Sequence, residues 1–158
     1  MSHADKLHLL ADECANLRLA SQHLRFSVER VRSLIPRLHT NLALDVLERL
    51  ESLASRFARL ADLLIQRVMR LVDDIELIAS GSLIDRILRA EKRGWTDQAA
   101  RLIRIRELRN LIAHEYAADK MADIYDAVFV LAPELENITQ RTVEYAEKLI
   151  NSLKETSK

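Results

Sequence analysis

Residues 47–78 read LERLESLASRFARLADLLIQRVMRLVDDIELI. Leu47, Ala54, Ala61, Val68 and Ile75 stand seven apart in one row, and Leu50, Phe57, Leu64, Leu71 and Ile78 form a second row beside it. Apolar positions alternating three and four apart mark one face of a helix, and rows kept over five repeats mark a bundle seam. The pattern predicts a helix from Asn41 to Ala79. At about 1.5 Å per residue it would be roughly 58 Å long, more than a compact domain needs. It is therefore expected to project, or to pair with a second copy along a dimer seam.

Upstream, Leu10, Leu17, Leu24, Val31 and Leu38 repeat the seven-residue spacing, interleaved with Leu7, Cys14, Ser21, Val28 and Ile35. This predicts another long helix, ended or kinked by Pro36, which lacks an amide donor and crowds the preceding turn. The chain is expected to turn back near Thr40. Downstream, Ser80, Gly81 and Ser82 signal a stop and restart, with Gly81 suited to the left-handed conformation that closes a helix. A short helix, Leu83 to Lys92, is ended by Gly94. Thr96 is placed to cap the next helix, with Asp97 at its positive end. A break at Ala117 to Asp119 precedes a last helix, Lys120 to Leu153, which Asp119 is placed to cap and Pro133 is expected to bend, Glu134 and Glu136 suiting a restarted first turn.

The fold class expected is all-α. The architecture is an antiparallel up-and-down bundle in one domain, residues 1–158, with two long heptad helices, a short helix, a motif helix and a long proline-kinked C-terminal helix. A chain of 158 residues can bury roughly 70% of its unfolded surface in one core. Two glycines and two prolines are too few for a turn-rich β architecture. They also leave no glycine fingerprint for a phosphate loop or a dinucleotide fold, since only Gly81 and Gly94 are available. Cys14 is the only cysteine, so no intrachain disulfide or CxxC site can form, which fits a reducing, cytoplasmic address. Met1 to Leu10 lacks the features of a signal peptide, and the most apolar run, Leu60 to Val72, is broken by Asp62, Arg67 and Arg70, so no membrane contact is expected. His3, His8, His23 and His39 are scattered, and there is no HExxH or Glu-x-x-His pair, so neither a metal nor another cofactor is expected.

Net charge is zero, but its distribution is uneven. Arg18, Arg25, Arg30, Arg32 and Arg37 face only Glu29 in their part of the chain. Arg86, Arg89, Lys92, Arg93, Arg101, Arg104, Arg106 and Arg109 outnumber Asp85, Glu91, Asp97 and Glu107. Two basic regions would form if these helices lay side by side.

One stretch differs from the rest: RELRNLIAHEY, residues 106–116. On a helix Leu102, Ile105, Leu108 and Ile112 share an apolar arc, and Arg109 projects inside it. A guanidinium there needs an anion, a carboxylate such as Asp73, Asp74 or Glu76 of the preceding helix, or an open cleft. Asn110 and His114, four apart, share a polar stripe with Glu107. A lone histidine near a helix end is commonly just exposed. Here it keeps company with an amide and a cation, the parts of a phosphodiester site, because imidazole titrates near neutrality. Arg109 and His114 nevertheless diverge by about 140° on an ideal helix. Either the helix tightens near Ala113 or a second copy completes the site.

RNLIAHEY, Arg109 to Tyr116, resembles the RxxxxHxY signature of the HEPN superfamily, in particular its HepT-like toxin ribonucleases, and Gly94 to Tyr116 resembles that family's central segment. The resemblance implies a homodimer whose cleft joins two motif helices and cleaves RNA without metal. Arg109 would hold the scissile phosphate, His114 would act as general base or acid, and Asn110 would position the ring or a phosphate oxygen. Arg101, Arg104 and Arg106 would belong to an RNA track. The resemblance further implies a toxin–antitoxin pair, in which a cognate MntA-like minimal nucleotidyltransferase transfers AMP to Tyr116 and blocks the cleft. The alternative reading of Tyr116 is an amphipathic cover for the bundle end. The alternative function is a noncatalytic helical partner that binds a nucleotidyltransferase or a nucleotide, and a third is a plain scaffold.

Overall fold

A computed structural model describes residues 1–79 and 81–158 of the chain, and every described residue outside connections is helical, with no strand among them. Helix α1 spans His3–Val31 and tightens into a 3₁₀ segment, Arg32–Arg37, that contains Pro36. Helix α2, Leu44–Asp62, runs on through a π-helical segment, Leu63–Val68, into α3, Met69–Ile75. Helices α4 (Leu83–Lys92), α5 (Ala99–His114) and α6 (Ala118–Thr156) follow. Cross-helix pairs give the directions. Lys6 meets Asp74, Glu13 meets Arg67, and Arg56 donates to Ser27, so α1 and the α2–α3 rod run antiparallel. Arg18 with Glu147 and Arg25 with Glu136 set α6 antiparallel to α1, while Asp97 with Arg141 and Arg101 with Glu134 set α5 antiparallel to α6. The expected up-and-down bundle is the observed one.

The two seams are buried as their spacing requires: Leu10, Leu17, Leu24 and Val31 from α1, and Leu50, Ala54, Phe57, Ala61, Leu64 and Val68 from the rod, all lie in one core. The rod is nonetheless shorter than expected. It stops at Ile75, about 48 Å from its start at Leu44, and α6, with 39 residues, is the longest helix. Its regularity also breaks. Up to Ala61 the buried positions keep the α spacing, but Ala61, Ile65, Met69 and Asp73 are buried at intervals of four. In an unbroken α-helix such a row would wind off the core by about 40° per turn. The wider π turn absorbs the drift, with the Met69 amide donating to Leu64 O, five residues back.

The two helix ends around α4 close alike. After α3, Leu77 takes φ 58° while Ile78 N–H bonds Asp73 O at 2.9 Å and Leu77 N–H bonds Asp74 O at 3.2 Å. After α4, Gly94 takes φ 80° while Trp95 N–H bonds Ala90 O at 2.9 Å and Gly94 N–H bonds Glu91 O at 3.0 Å. Leu77, rather than Gly81, therefore closes the rod, and Ser80 of the expected stop lies outside the described residues. Gly81 matters through Asp85: a methyl group there would meet Asp85 Oδ2 at 2.5 Å, the oxygen that accepts Ser82 N–H at 2.9 Å to start α4. Because left-handed backbone disfavours any Cβ, Gly94→Ala is expected to cost about 1 kcal/mol and Leu77→Gly to gain up to about 1 kcal/mol. The second change loses no packing, since Leu77 is exposed. Urea midpoints moving in opposite directions would bear this out; two midpoints falling together would not.

Three further expectations need correction. Thr96 does not cap α5; its hydroxyl accepts Gln98 N–H at 3.3 Å, and the first helical amide, Ala99 N–H, is capped at 2.6 Å by Glu91 Oε2 from α4. Asp119 does not cap α6 but lies in its first turn, two residues before the expected start being already helical; Ala117 is the cap and offers no side-chain bond. Pro133 does not restart α6, which is helical without interruption on both sides of it. Burial of Ala132 and Leu135 on either side offsets the amide bond that proline removes.

Candidate functional site

Helix α5 buries Ala99, Leu102, Ile105 and Leu108 and so fixes which way its polar residues face. Arg109, next to that stripe, is partly buried and reaches the end of α2. There its Nε and Nη2 donate to Asp62 Oδ1 and Oδ2 at 2.8 and 3.0 Å. A bidentate pair of this kind is the stronger form of guanidinium–carboxylate contact. The hydrogen bonds to Asp62 push the Arg109 guanidinium above its ordinary proton affinity, against a smaller opposing effect of burial. The carboxylates expected as partners are engaged elsewhere: Asp73 with Arg89 and Arg93, Asp74 with Lys6, and Glu76 with Arg93.

Beside this pair lies a cleft of about 610 Å³ between the rod and α5. Arg59, Arg67, Arg106 and Arg109 line it against a single carboxylate, Asp62. Arg106 donates to Asn110 Oδ1 at 2.9 Å, and its Nε is buried without a partner. Among the described residues Arg59 has no carboxylate partner, and Arg67 stands 3.6 Å from Glu13. The floor is the π segment, through Leu63 and Gln66. Four guanidinium groups over one carboxylate give the cleft a surplus of positive charge, which favours anions.

The remaining motif residues lie around this cleft unevenly. Asn110 is on its rim and exposed. His114, the last residue of α5, is exposed and lines neither this cleft nor the smaller concavity on the other side of Arg109. Because α5 is regular α-helix through Ala113, the tightening that might have brought His114 round to Arg109 is absent, and the angular divergence stands. Tyr116 is 89% exposed in the short connection to α6, where Glu115 Oε1 accepts the amides of Tyr116 and Ala117, each at 3.1 Å. Arg101 pairs with Glu134 and Arg104 with Glu107, and neither lines the cleft.

The two expected basic regions do not form as such. Arg18, Arg25, Arg32, Arg89 and Arg93 are each paired with a carboxylate, most of them from another helix. Arg59 and Arg106, on facing helices, have no carboxylate partner among the described residues. Asp62, Arg59, Gln66 and Arg67 had not been singled out from the sequence, although Arg59, Asp62 and Gln66 fall at i, i+3 and i+7 and so share one polar stripe. Cys14 is buried, and burial pushes its thiol up, which disfavours the thiolate. Among the described residues no three His, Cys, Asp or Glu groups come together as a metal site, and no helix is long and apolar enough to cross a membrane. Comparison with family models, with curated proteins and with solved structures gave no match, so the HEPN resemblance rests on the motif segment alone.

Proposed function

We propose that this protein is a metal-independent endoribonuclease, the toxin of a toxin–antitoxin pair, working as a homodimer in which Arg109 of one copy and His114 of the other serve the same phosphodiester. The observation that carries this reading is the four-arginine cleft around the one arginine that the motif singles out. RNA phosphates enter along Arg59, Arg67 and Arg106. Arg109 holds the scissile phosphate and offsets the charge that develops on it. His114 takes the proton of the 2′-hydroxyl, whose oxygen attacks phosphorus; the 5′-oxygen leaves and is protonated by imidazolium, and a 2′,3′-cyclic phosphate remains. Asn110, already bonded to Arg106, steadies the phosphate. The exposed phenol of Tyr116 is the acceptor for AMP: it gives up its proton to solvent, its oxygen attacks the α-phosphate of ATP on a partner nucleotidyltransferase, pyrophosphate leaves, and the motif then carries a bulky anion.

Purified protein is expected to cleave single-stranded RNA in the presence of a chelator, with binding that weakens as salt rises. Asp62→Asn removes the only carboxylate of the cleft and is expected to raise RNA affinity about fivefold, the effect of roughly 1 kcal/mol from one charge a few ångströms away at a partly solvated site. A protein that neither binds nor cuts RNA, with Asp62→Asn unchanged, overturns the reading. The clamp of Asp62 on Arg109 favours one alternative, a noncatalytic partner of a nucleotidyltransferase. Intact mass after incubation with such an enzyme and ATP separates the two: an AMP adduct without any ribonuclease activity supports the partner protein.

A further inference from the structure

A second cavity, of about 760 Å³, lies between α1, the rod and the start of α4. Gln66 and Arg67 line both it and the arginine cleft, so the two sites share a wall formed by the π segment. Leu9, Leu71 and Ile78 give this cavity an apolar side, and Leu9 and Ile78 remain partly solvent-exposed there.

Its lining holds three guanidinium groups and three carboxylates, but cations from outside the lining take up two of those carboxylates. Asp73 accepts from Arg89 at 3.2 and 2.6 Å and from Arg93 at 2.8 Å, so both its oxygens are engaged. Asp74 is held by Lys6 at 3.0 Å, and Glu13 Oε1 faces Arg67 at 3.6 Å. That leaves Arg70 and Arg86 without a carboxylate partner among the described residues. Arg86 is 7% exposed; its Nη1 donates only to Ile65 O, at 3.4 Å, and its Nε is buried with no partner. Burial, and then the nearby Arg70, lower the proton affinity of this guanidinium, and Asp73 opposes them only in part. An uncompensated buried cation is costly, and a bound anion removes the cost. Glu13 Oε2 is likewise buried without a donor.

We infer that this cavity binds a small phosphate monoester, its dianionic head between Arg70 and Arg86 and its body, apolar but bearing one hydrogen-bond donor, along Leu9, Leu71 and Ile78 toward Glu13. Two uncompensated guanidinium groups match a head that carries nearly two charges at neutral pH. The donor answers the unpartnered carboxylate oxygen. This site stands apart from the RNA reading, which uses neither Arg70 nor Arg86.

Calorimetric titration with 4-aminophenyl phosphate tests it. Binding in the millimolar range or tighter is expected, weaker by about tenfold or more in Arg86→Met and by several-fold in Arg70→Ala, whose exposed position leaves folding intact. Arg109→Ala should bind as the parent does, whatever its effect on RNA. Phenyl phosphate, without the amine, should bind several-fold more weakly, and phenylacetate, with a single charge, more weakly still. No heat of binding at millimolar probe, an affinity unmoved by Arg70→Ala, or phenylacetate binding as well as the phosphate would each overturn the assignment. If Arg86→Met does not fold, the Arg70→Ala result decides alone.

Discussion

Arg109→Ala and His114→Ala protomers, each expected to be inactive by itself, should recover about a quarter of the parental RNA-cleavage rate when mixed in equal amounts and allowed to exchange subunits. The expectation follows from helix geometry. Five residues along a regular α-helix rotate the chain by about 500°, so the two side chains leave α5 about 140° apart, and α5 holds that regularity from Ala99 to His114. A site using both groups is, on the proposed reading, assembled from different copies. In a mixed dimer one site then keeps both groups and the other loses both. Random exchange makes half the dimers mixed, hence the quarter. Each parent variant falls far below that level, since a lost oxyanion-type contact typically costs 10²–10³ and a lost acid or base 10²–10⁴ in rate. Neither change should unfold the protein, because His114 is exposed and the Asp62 side chain left behind by Arg109→Ala is 40% solvent-accessible. A labelled RNA and a far-ultraviolet CD spectrum suffice to measure both. Variants that stay folded and dimeric, yet remain dead when mixed, rule out the shared site; single variants that cut RNA like the parent rule out catalysis by this motif.

The helices were legible because their information is local. Rows such as Leu50, Phe57 and Leu64 need only the chain's own periodicity, and α4 begins and ends at the residues, Leu83 and Lys92, that its capping serine and closing glycine mark. The π segment was legible too, in the fourfold spacing of Ala61, Ile65, Met69 and Asp73, but Ala61, Leu64, Val68 and Leu71 also fit the seven-residue rows and hide it. Leu77 gives no such sign. Its left-handed backbone is imposed by where the rod must end to let α4 pack, and residue type opposes it. In the same way nothing local says that α6 continues through Pro133; packing on α1 and α5 decides that.

The candidate site was half legible for a related reason. The motif marks Arg109, Asn110, His114 and Tyr116, but the partner of Arg109 depends on where α5 crosses the rod. That point is Asp62, about three turns before the Asp73–Glu76 cluster that seemed the nearer choice. Charge counted along the chain also misleads. Arg25 looks unpaired among its neighbours until α6 brings Glu136 alongside, whereas Arg59, which no local surplus marks, becomes part of the cleft.

The largest loss of stability is expected from Asp73→Ala, about 3–5 kcal/mol, the usual consequence of removing one partner from a buried ion pair. The Asp73 side chain is 5% exposed and that of Arg93 is 9% exposed. Without Asp73, Arg93 keeps Glu76 Oε1 at 3.0 Å and its positions 4.9 Å over the Trp95 ring and 5.9 Å over the Tyr145 ring. The same Glu76 already accepts Tyr145 Oη at 2.9 Å, so the network cannot absorb the loss by shifting one bond. Arg89, 20% exposed, can turn toward water; Arg93 cannot. The damage is therefore a buried cation left with one shared carboxylate rather than a lost attraction alone, and that distinction is measurable. Adding Arg93→Met to Asp73→Ala removes that cation and should restore a substantial part of the urea midpoint, while Asp97→Ala, which breaks an exposed pair with Arg141, should leave the midpoint close to its parent value. A double variant no more stable than Asp73→Ala would mean that the carboxylate holds α3 against α4 by its own bonds, and that the buried charge of Arg93 is tolerated.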